Sequence, residues 1–321
     1  MIVVWGSTSD PPVERMLAIL ARRGLPTLHL DALAMVRLRY DVTLEATPRG
    51  WLDPGANRLD LDDITGVYVR PGQLAPGAAL TAAAVVLAVA STIPATVVNR
   101  PSAGISNGSK PFQLQLIAGA GLSVPETLVT TDPVAARSFL AQHGRVVYKS
   151  VSGVRSIVAA LEAGDRDRLD GVTSGPVQLQ RWIGGRDVRV HVVGERCFAT
   201  AIDSSADDYR YGAREGVDPT LTAVDVPPSL QERLVALTCR LGLLVAGIDL
   251  RVTASGEWFC FEVNPSPGFT FYEDATGQPI GDAITDLLQN ARAAPAVRGQ
   301  RTLPSAPPAR IEGWTAPRRA R

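Results

Sequence analysis

Gly247-Ile248-Asp249-Leu250-Arg251 and, further on, Phe261-Glu262-Val263-Asn264-Pro265-Ser266-Pro267-Gly268 decide how this chain is read. Glu262 and Asn264 stand two apart on an expected strand, so both side chains face the same way. Asp249 lies on the strand expected to pair with it across Ala254-Ser255-Gly256. Three oxygen donors, Asp249, Glu262 and Asn264, then converge from adjacent strands. Magnesium takes hard oxygens and keeps waters and substrate phosphates in its other positions. A softer metal would call for Cys or His, and this set has neither. On this reading Ile248, Leu250, Phe261 and Val263 pack the opposite face. The plainer alternative is a pair of amphipathic strands with polar residues turned to water.

Working outward, Val188–Val193 and Cys197–Ile202 flank Gly194-Glu195 as a second hairpin. Ser229–Leu241 carries Leu230, Leu234, Leu237 and Leu241 on one helical face. Pro279–Leu288 reads as the last helix. Before these, the spacing predicts a helix over Asn107–Gly121. It predicts an extended Thr127–Val129, a helix capped by Asp132 and running to Gln142, a strand over Arg145–Lys149 and an extended Val177–Ile183. The first hundred residues alternate strand and helix. Ile2–Trp5, Thr27–Leu30, Tyr40–Leu44, Asn57–Leu61 and Val67–Arg70 read as strands, Pro11–Arg23 and Ala78–Ile93 as helices. That pattern predicts an α/β layer on a mainly parallel sheet. Four units follow: an N-terminal α/β domain at 1–95, a central lobe at 96–183, a C-terminal lobe with the metal site at 184–292, and a mobile basic tail at 293–321.

The chain has 321 residues, 45% of them hydrophobic, a net charge of +0 and a pI near 6.8. No global basic field for nucleic acid is present. Three scattered cysteines and three histidines show no paired spacing, which predicts reduced thiols and no zinc site. Met1–Trp5 has no basic leader, and Ala78–Ile93 is too short to span a bilayer. The expectation is a cytoplasmic protein with no membrane partner.

Two further segments carry chemistry. Lys149 ends an apolar strand and enters the loop Ser150-Val151-Ser152-Gly153, from which it can reach phosphate oxygens under the loop amides. Lys110, near a helix start, offers a second cation. These are the two lysines of the chain, against thirty arginines. Gln178-Leu179-Gln180-Arg181-Trp182-Ile183 before Gly184-Gly185 suits a hinge whose backbone could pair with an adenine edge, and Asp187 could accept from ribose hydroxyls. An ordinary strand and turn is the alternative.

In this order the three segments resemble the ATP-grasp superfamily over residues 95–290, in its RimK-like and glutathione-synthetase-like branch. Lys149-Ser150, the run Gln180 to Gly194, Asp208-Tyr209-Arg210 and Glu262-Val263-Asn264-Pro265 look most like the peptide maturases that build graspetides. The resemblance implies an α/β (α+β) ATP-grasp fold behind an N-terminal pre-ATP-grasp α/β domain. It implies ATP phosphates on Lys110 and Lys149, adenine on Gln180, Arg181, Trp182 and Ile183, ribose on Asp187, and Mg2+ on Asp249, Glu262 and Asn264. Many relatives carry an arginine shortly before the aspartate matching Asp249, and Leu243–Ile248 has none. Arg189, Arg210 or Arg251 would steady the acyl phosphate instead. Gln180 stands where many relatives have a hinge glutamate.

The reaction implied has two steps: a carboxylate takes the γ-phosphoryl group, then an amine or hydroxyl displaces phosphate. Ser150–Ser156, with Gly153 and Arg155, would close over the site. Arginines at 70, 186, 189, 210 and 214 point to a precursor peptide with acidic residues as the substrate. The alternatives are a ligase of small amino acids and a small-molecule kinase of the same fold. A homodimer is the further partner considered.

Overall fold

The computed structural model describes residues 1–45, 47–55, 58–72, 77–151, 159–204 and 219–290. Apolar runs at the start of the chain form a parallel sheet. Its strands are β1 (Ile2–Gly6), β2 (Thr27–Leu30), β6 (Gly66–Arg70) and β7 (Thr96–Val98), in the order β2-β1-β6-β7. One face is covered by α3 (Ala78–Thr92), whose Ala79, Ala82, Ala83, Val86, Val89 and Ala90 recur at helical spacing and are buried. The other face packs on α1 (Pro11–Arg22) through Val13, Met16 and Leu20, and Gly24 ends that helix region at φ +64°. The sheet runs on to Val98, past the residue-95 boundary expected from the sequence. Between β2 and β6 lie α2 (Ala32–Arg37) and a small antiparallel sheet of β3 (Arg39–Thr43), β4 (Arg49–Asp53) and β5 (Leu59–Asp60). Of the strand expected over Asn57–Leu61, Leu59–Asp60 forms β5 and Leu61 starts a 3₁₀ turn that runs to Asp63; Asn57 lies outside the described residues.

The central sheet joins β8 (Thr127–Thr130), β9 (Val146–Ser150), β10 (Ala159–Leu161) and β11 (Val177–Arg181) in the order β10-β9-β11-β8. Val146, Leu179 and Val177 pack one face against α5 (Pro133–His143) and the 3₁₀ segment Ala163–Ser174. Asp132 caps α5 by accepting the Val134 N–H.

The last sheet takes β12 (Arg186–Val193), β13 (Arg196–Asp203), β14 (Thr220–Val224), β15 (Val245–Val252) and β16 (Trp258–Asn264), ordered β14-β13-β12-β15-β16. Its core face carries Val188, Val190, Val192, Ile248 and Val263. These pack on α6 (Pro228–Arg240) and on α4 (Lys110–Gly119), through Leu114 and Ile117. So α4, which precedes the central sheet in the chain, packs with the C-terminal one. The helix expected from Asn107 begins at Lys110. Pro111 suits a first turn, and the residues before it, Pro101–Gly108, form a 3₁₀ segment.

Helices α7 (Thr270–Thr276) and α8 (Ile280–Gln289) close the described chain and join the first sheet to the last. Arg15 of α1 bonds Glu273 at 2.5 Å and Asp274 at 2.6 Å, and Arg23 bonds Asp282 at 2.6 Å and Asp286 at 2.7 Å. No described helix is long and apolar enough to cross a membrane. The expected loop residues Ser152–Ser156, the segment Ser205–Arg214 with Asp208 and Arg210, and the tail 293–321 lie outside the described residues.

Candidate active site

Strands β12 and β15 pair so that Arg189 faces Asp249 and Asp187 faces Arg251. Their valine, isoleucine and leucine neighbours are buried below, so these four charged residues share the upper face. Arg189 Nη1 donates to Asp249 Oδ1 at 2.5 Å, with only 6% and 17% of the two side chains exposed. Removing one partner of a pair this far from water would strand the other charge. Gly247 makes room for it. A Cβ there would stand 2.1 Å from Arg189 Nη2 and 2.7 Å from Pro267 Cβ.

Asp249 faces Glu262 and Gly247 faces Asn264 across β15 and β16. The register then shifts, and Leu250 pairs with Cys260. Phe261 is the extra residue of this bulge. Strict alternation placed Phe261 on the core face, and the structure corrects that. Cys260 fills the core position at 1% exposure, its thiol pushed up by burial. Phe261 instead lies 5.5 Å from Lys149 Nζ and 5.6 Å from the Arg251 guanidinium. Asn264 Oδ1 accepts the Ser266 N–H at 2.9 Å.

Lys149 belongs to the central sheet. Its Nζ donates to Gln180 Oε1 at 3.0 Å, and Gln180 Nε2 donates to Thr127 Oγ1 at 3.1 Å. Gln180 is 1% exposed, so the bond spares a buried carbonyl from standing alone. Lys110 opens α4. Gln113, one turn on, bonds Val263 N–H and C=O with its carboxamide, which sets the start of α4 beside β16.

The hinge forms a separate cluster. Arg251 bonds both oxygens of Asp187, at 2.7 and 2.8 Å, and the Ile183 carbonyl at 2.8 Å. Its guanidinium lies 5.1 Å from the Trp182 ring, where that of Arg145 lies at 3.9 Å. Arg181 N–H donates to Glu126 O, and Trp182 N–H to Arg145 O. These two amides, which the sequence offered to an adenine edge, are engaged within the protein.

Behind the oxygen set, Arg70 donates to Asp10 at 2.6 Å, to Ser266 Oγ at 2.9 Å and to Pro267 O at 3.0 Å. Asn99 adds a four-way tie, giving Nδ2 to Val245 O and Pro265 O and accepting from Leu244 and Val245 N–H. His191, on the same face as Arg189, is fully buried against Tyr272, with ring centroids 4.9 Å apart. Burial and the Arg189 charge hold its pKa down at about 3.

Asp249, Glu262 and Asn264 are half-buried and meet in matched registers, an oxygen-only donor set. Among the described residues no group of three or more His, Cys, Asp or Glu offers a rival cradle. Two carboxylates and a carboxamide fit magnesium whose other ligands are phosphates and waters. The strand registers thus bring Arg189, Asp249, Glu262 and Asn264 together, and Lys149 Nζ lies 5.5 Å from the ring of Phe261, the residue before Glu262. Arg251 and Asp187 sit with Trp182 and Ile183. Sequence reasoning missed Phe261, His191, Asn99 and the Asp10 partner of Arg70. The Gly247 gap was visible only as a glycine in a strand.

Residues 108–288 match the family model of the RimK-like ATP-grasp domain. A probable alpha-L-glutamate ligase of Vibrio cholerae serotype O1 is 28% identical over 193 residues, 56% of this chain and 63% of that protein. The chain therefore spans less than two thirds of that relative. The ATP-grasp ligase PsnB complexed with a minimal precursor superposes with a TM-score of 0.76 at 27% identity, over 91% of this chain and 99% of that one. The same ligase with minimal precursor, Mg and ADP gives 0.75 at 26%, over 91% and 97%. A Chryseobacterium gregarium RiPP-associated ATP-grasp ligase, in complex with ADP and a leader and core peptide, gives 0.77 at 21% identity, over 91% and 97%. At that identity the likeness bears on the fold alone.

Proposed function

This chain belongs to the RimK-like ATP-grasp family, and from that premise we propose that it is an ATP-dependent ligase acting on carboxylates of a precursor peptide, through an acyl phosphate. The observation that carries the proposal is the Asp249–Glu262–Asn264 set on paired strands, with Lys149 Nζ 5.5 Å from the ring of the adjacent Phe261. In this reading Lys110 and Lys149 hold the ATP phosphates, the hinge Gln180 to Ile183 takes adenine through groups other than the engaged Arg181 and Trp182 N–H, and Asp249, Glu262 and Asn264 hold magnesium. When bound, that ion cancels charge on the transferring phosphoryl group. Arg189, held over Gly247, positions Asp249 and faces the developing oxyanion. Arg251 orders the hinge through Asp187 and Ile183, and a role towards the acceptor is assigned to Arg210, which lies outside the described residues. Asp187, engaged by Arg251, takes ribose only by sharing its oxygens. The lobes are the N-terminal domain, carried by its sheet through Val98 rather than residue 95, then the halves up to 183 and 184–292, and the tail 293–321. The enzyme works in the cytoplasm, alone or as a homodimer.

The peptide substrate is supported by PsnB, at 27% identity, complexed with a minimal precursor. A ligase of small amino acids is the second reading, favoured by the glutamate ligase likeness. Incubation with an acidic peptide, ATP and magnesium separates these from a kinase. The ligase gives ADP and free phosphate with a condensed product. A stable phosphorylated product without free phosphate would overturn the proposal.

A further inference from the structure

Asn264 is followed by the turn Pro265-Ser266-Pro267. The prolines fix φ and bring no N–H. Ser266 therefore carries the one backbone N–H of the three residues, and it donates to Asn264 Oδ1 at 2.9 Å. In a carboxamide only the oxygen accepts, so this bond fixes which end of the Asn264 side chain is which. The same oxygen has a second lone pair, the one an ion would take. So stiff a turn orients Asn264 only as well as the turn itself is held.

It is held from the first sheet, at all three residues. Asn99, just past β7, gives Nδ2 to Pro265 O at 2.6 Å. Arg70, the last residue of β6, gives Nη1 to Ser266 Oγ at 2.9 Å and to Pro267 O at 3.0 Å. The rest of its guanidinium is fastened to Asp10, Nε at 2.6 Å and Nη2 at 3.3 Å, and the Arg70 side chain is 14% exposed. The two ties differ. Asn99 also bonds Val245 of β15 and Leu244 before it, so its loss would disturb strand and turn alike. The hydrogen bonds of Arg70 reach the turn and not β15. A guanidinium near a divalent cation repels it, so charge is not what Arg70 can add to an ion site. Its planar fork can add position. It meets two acceptors on the turn while its other edge lies on Asp10, a span that the point charge of a lysine does not cover.

We propose that Arg70, anchored by Asp10, is a positioning residue for the magnesium site. It holds Ser266 and Pro267 so that the Ser266 N–H keeps Asn264 Oδ1 on the face that Asn264 shares with Glu262. This rests on the magnesium reading above and adds to it a residue of the N-terminal domain, which supplies none of the three oxygen donors. Outer partners of metal ligands commonly contribute roughly 10–100-fold in metal affinity.

The test is calorimetric titration of the full chain with ADP, once in magnesium and once in EDTA, so that the ratio of the two affinities reads the ion and not turnover. The wild type should bind ADP more tightly in magnesium. Arg70→Gln should lose most of that gain, about tenfold or more in affinity, while its binding in EDTA matches wild type. Raising magnesium should recover part of the loss. Arg70→Lys keeps the charge without the fork and should fall with Arg70→Gln. Asp10→Asn leaves Arg70 in place without its full anchor and should move the ratio the same way by less. A wild-type ratio in a folded Arg70→Gln or in Arg70→Lys overturns the proposal. So does an equal loss in magnesium and in EDTA, the result of a tie that serves stability alone. If neither Arg70 variant folds, Asp10→Asn decides, and an unchanged ratio there overturns the proposal. A wild type that binds ADP no better in magnesium than in EDTA would remove the magnesium reading itself, and this inference with it.

Discussion

Strands β12 and β15 carry the same charge pair twice, in opposite order. Arg189 faces Asp249, and two residues away Asp187 faces Arg251. The second pair is bidentate, with its side chains 14% and 27% exposed, and it also holds the hinge carbonyl of Ile183. The first joins Nη1 to Oδ1, is more deeply buried, and lies over the bare backbone of Gly247. One composition thus serves two ends. The less buried fork ties both strands to the Ile183 carbonyl, and in the proposed reading the buried contact positions a carboxylate for magnesium. Neighbouring backbone decides which.

The comparison is broken most strongly at its partner on β16. Glu262→Gln should lower turnover to below about one hundredth of wild type, since even loss of an outer-shell partner commonly costs 10–100-fold, with little change in melting temperature. Near wild-type turnover in saturating magnesium would take Glu262 out of the site. Arg189→Ala leaves Asp249 buried without this partner and should destabilise the fold by roughly 3–5 kcal/mol. Arg251→Ala, at the more exposed pair, should cost less than half of that in the same denaturant titration. Equal losses would erase the distinction between the two pairs.

Lys149→Ala sharpens the contrast from the other lobe. Loss of a charge-assisted phosphate contact should weaken ATP binding by roughly 1.5–3 kcal/mol, measured by calorimetry. Unchanged binding would reduce Lys149 to the partner of Gln180. His191 gives a pH test. Its folded pKa of about 3 lies below the roughly 6.5 of an unfolded histidine. Between those values the unfolded chain binds a proton that the folded chain does not. Stability should therefore fall as pH drops from about 6.5 towards 3, and His191→Gln should flatten that slope. The smallest effect is expected from deleting residues 293–321, a Pro- and Ala-rich segment, which should leave the melting temperature nearly unchanged.

The two hairpins and the parallel first sheet were legible because alternating and apolar runs report directly on strand faces. The same rule misplaced Phe261, since a bulge shifts the phase by one residue and nothing in Cys260-Phe261-Glu262 announces it. The short strands β7 and β10, three residues each, carry too few residues for a period to show. The Lys149–Gln180 bond and the Arg70–Asp10 tie join positions far apart in the chain, so spacing could not pair them. The pairing of the strands that carry Asp249, Glu262 and Asn264 was legible because all three lie on one hairpin.

The central claim is that the Asp249–Glu262–Asn264 face condenses peptide carboxylates at the expense of ATP. Mass spectrometry of an acidic, lysine-containing peptide incubated with the full chain, ATP and magnesium tests it most directly. The account predicts loss of one water per bond formed, with one ADP and one free phosphate released for each. An unchanged peptide mass, alongside ligation of free amino acids under the same conditions, would contradict it.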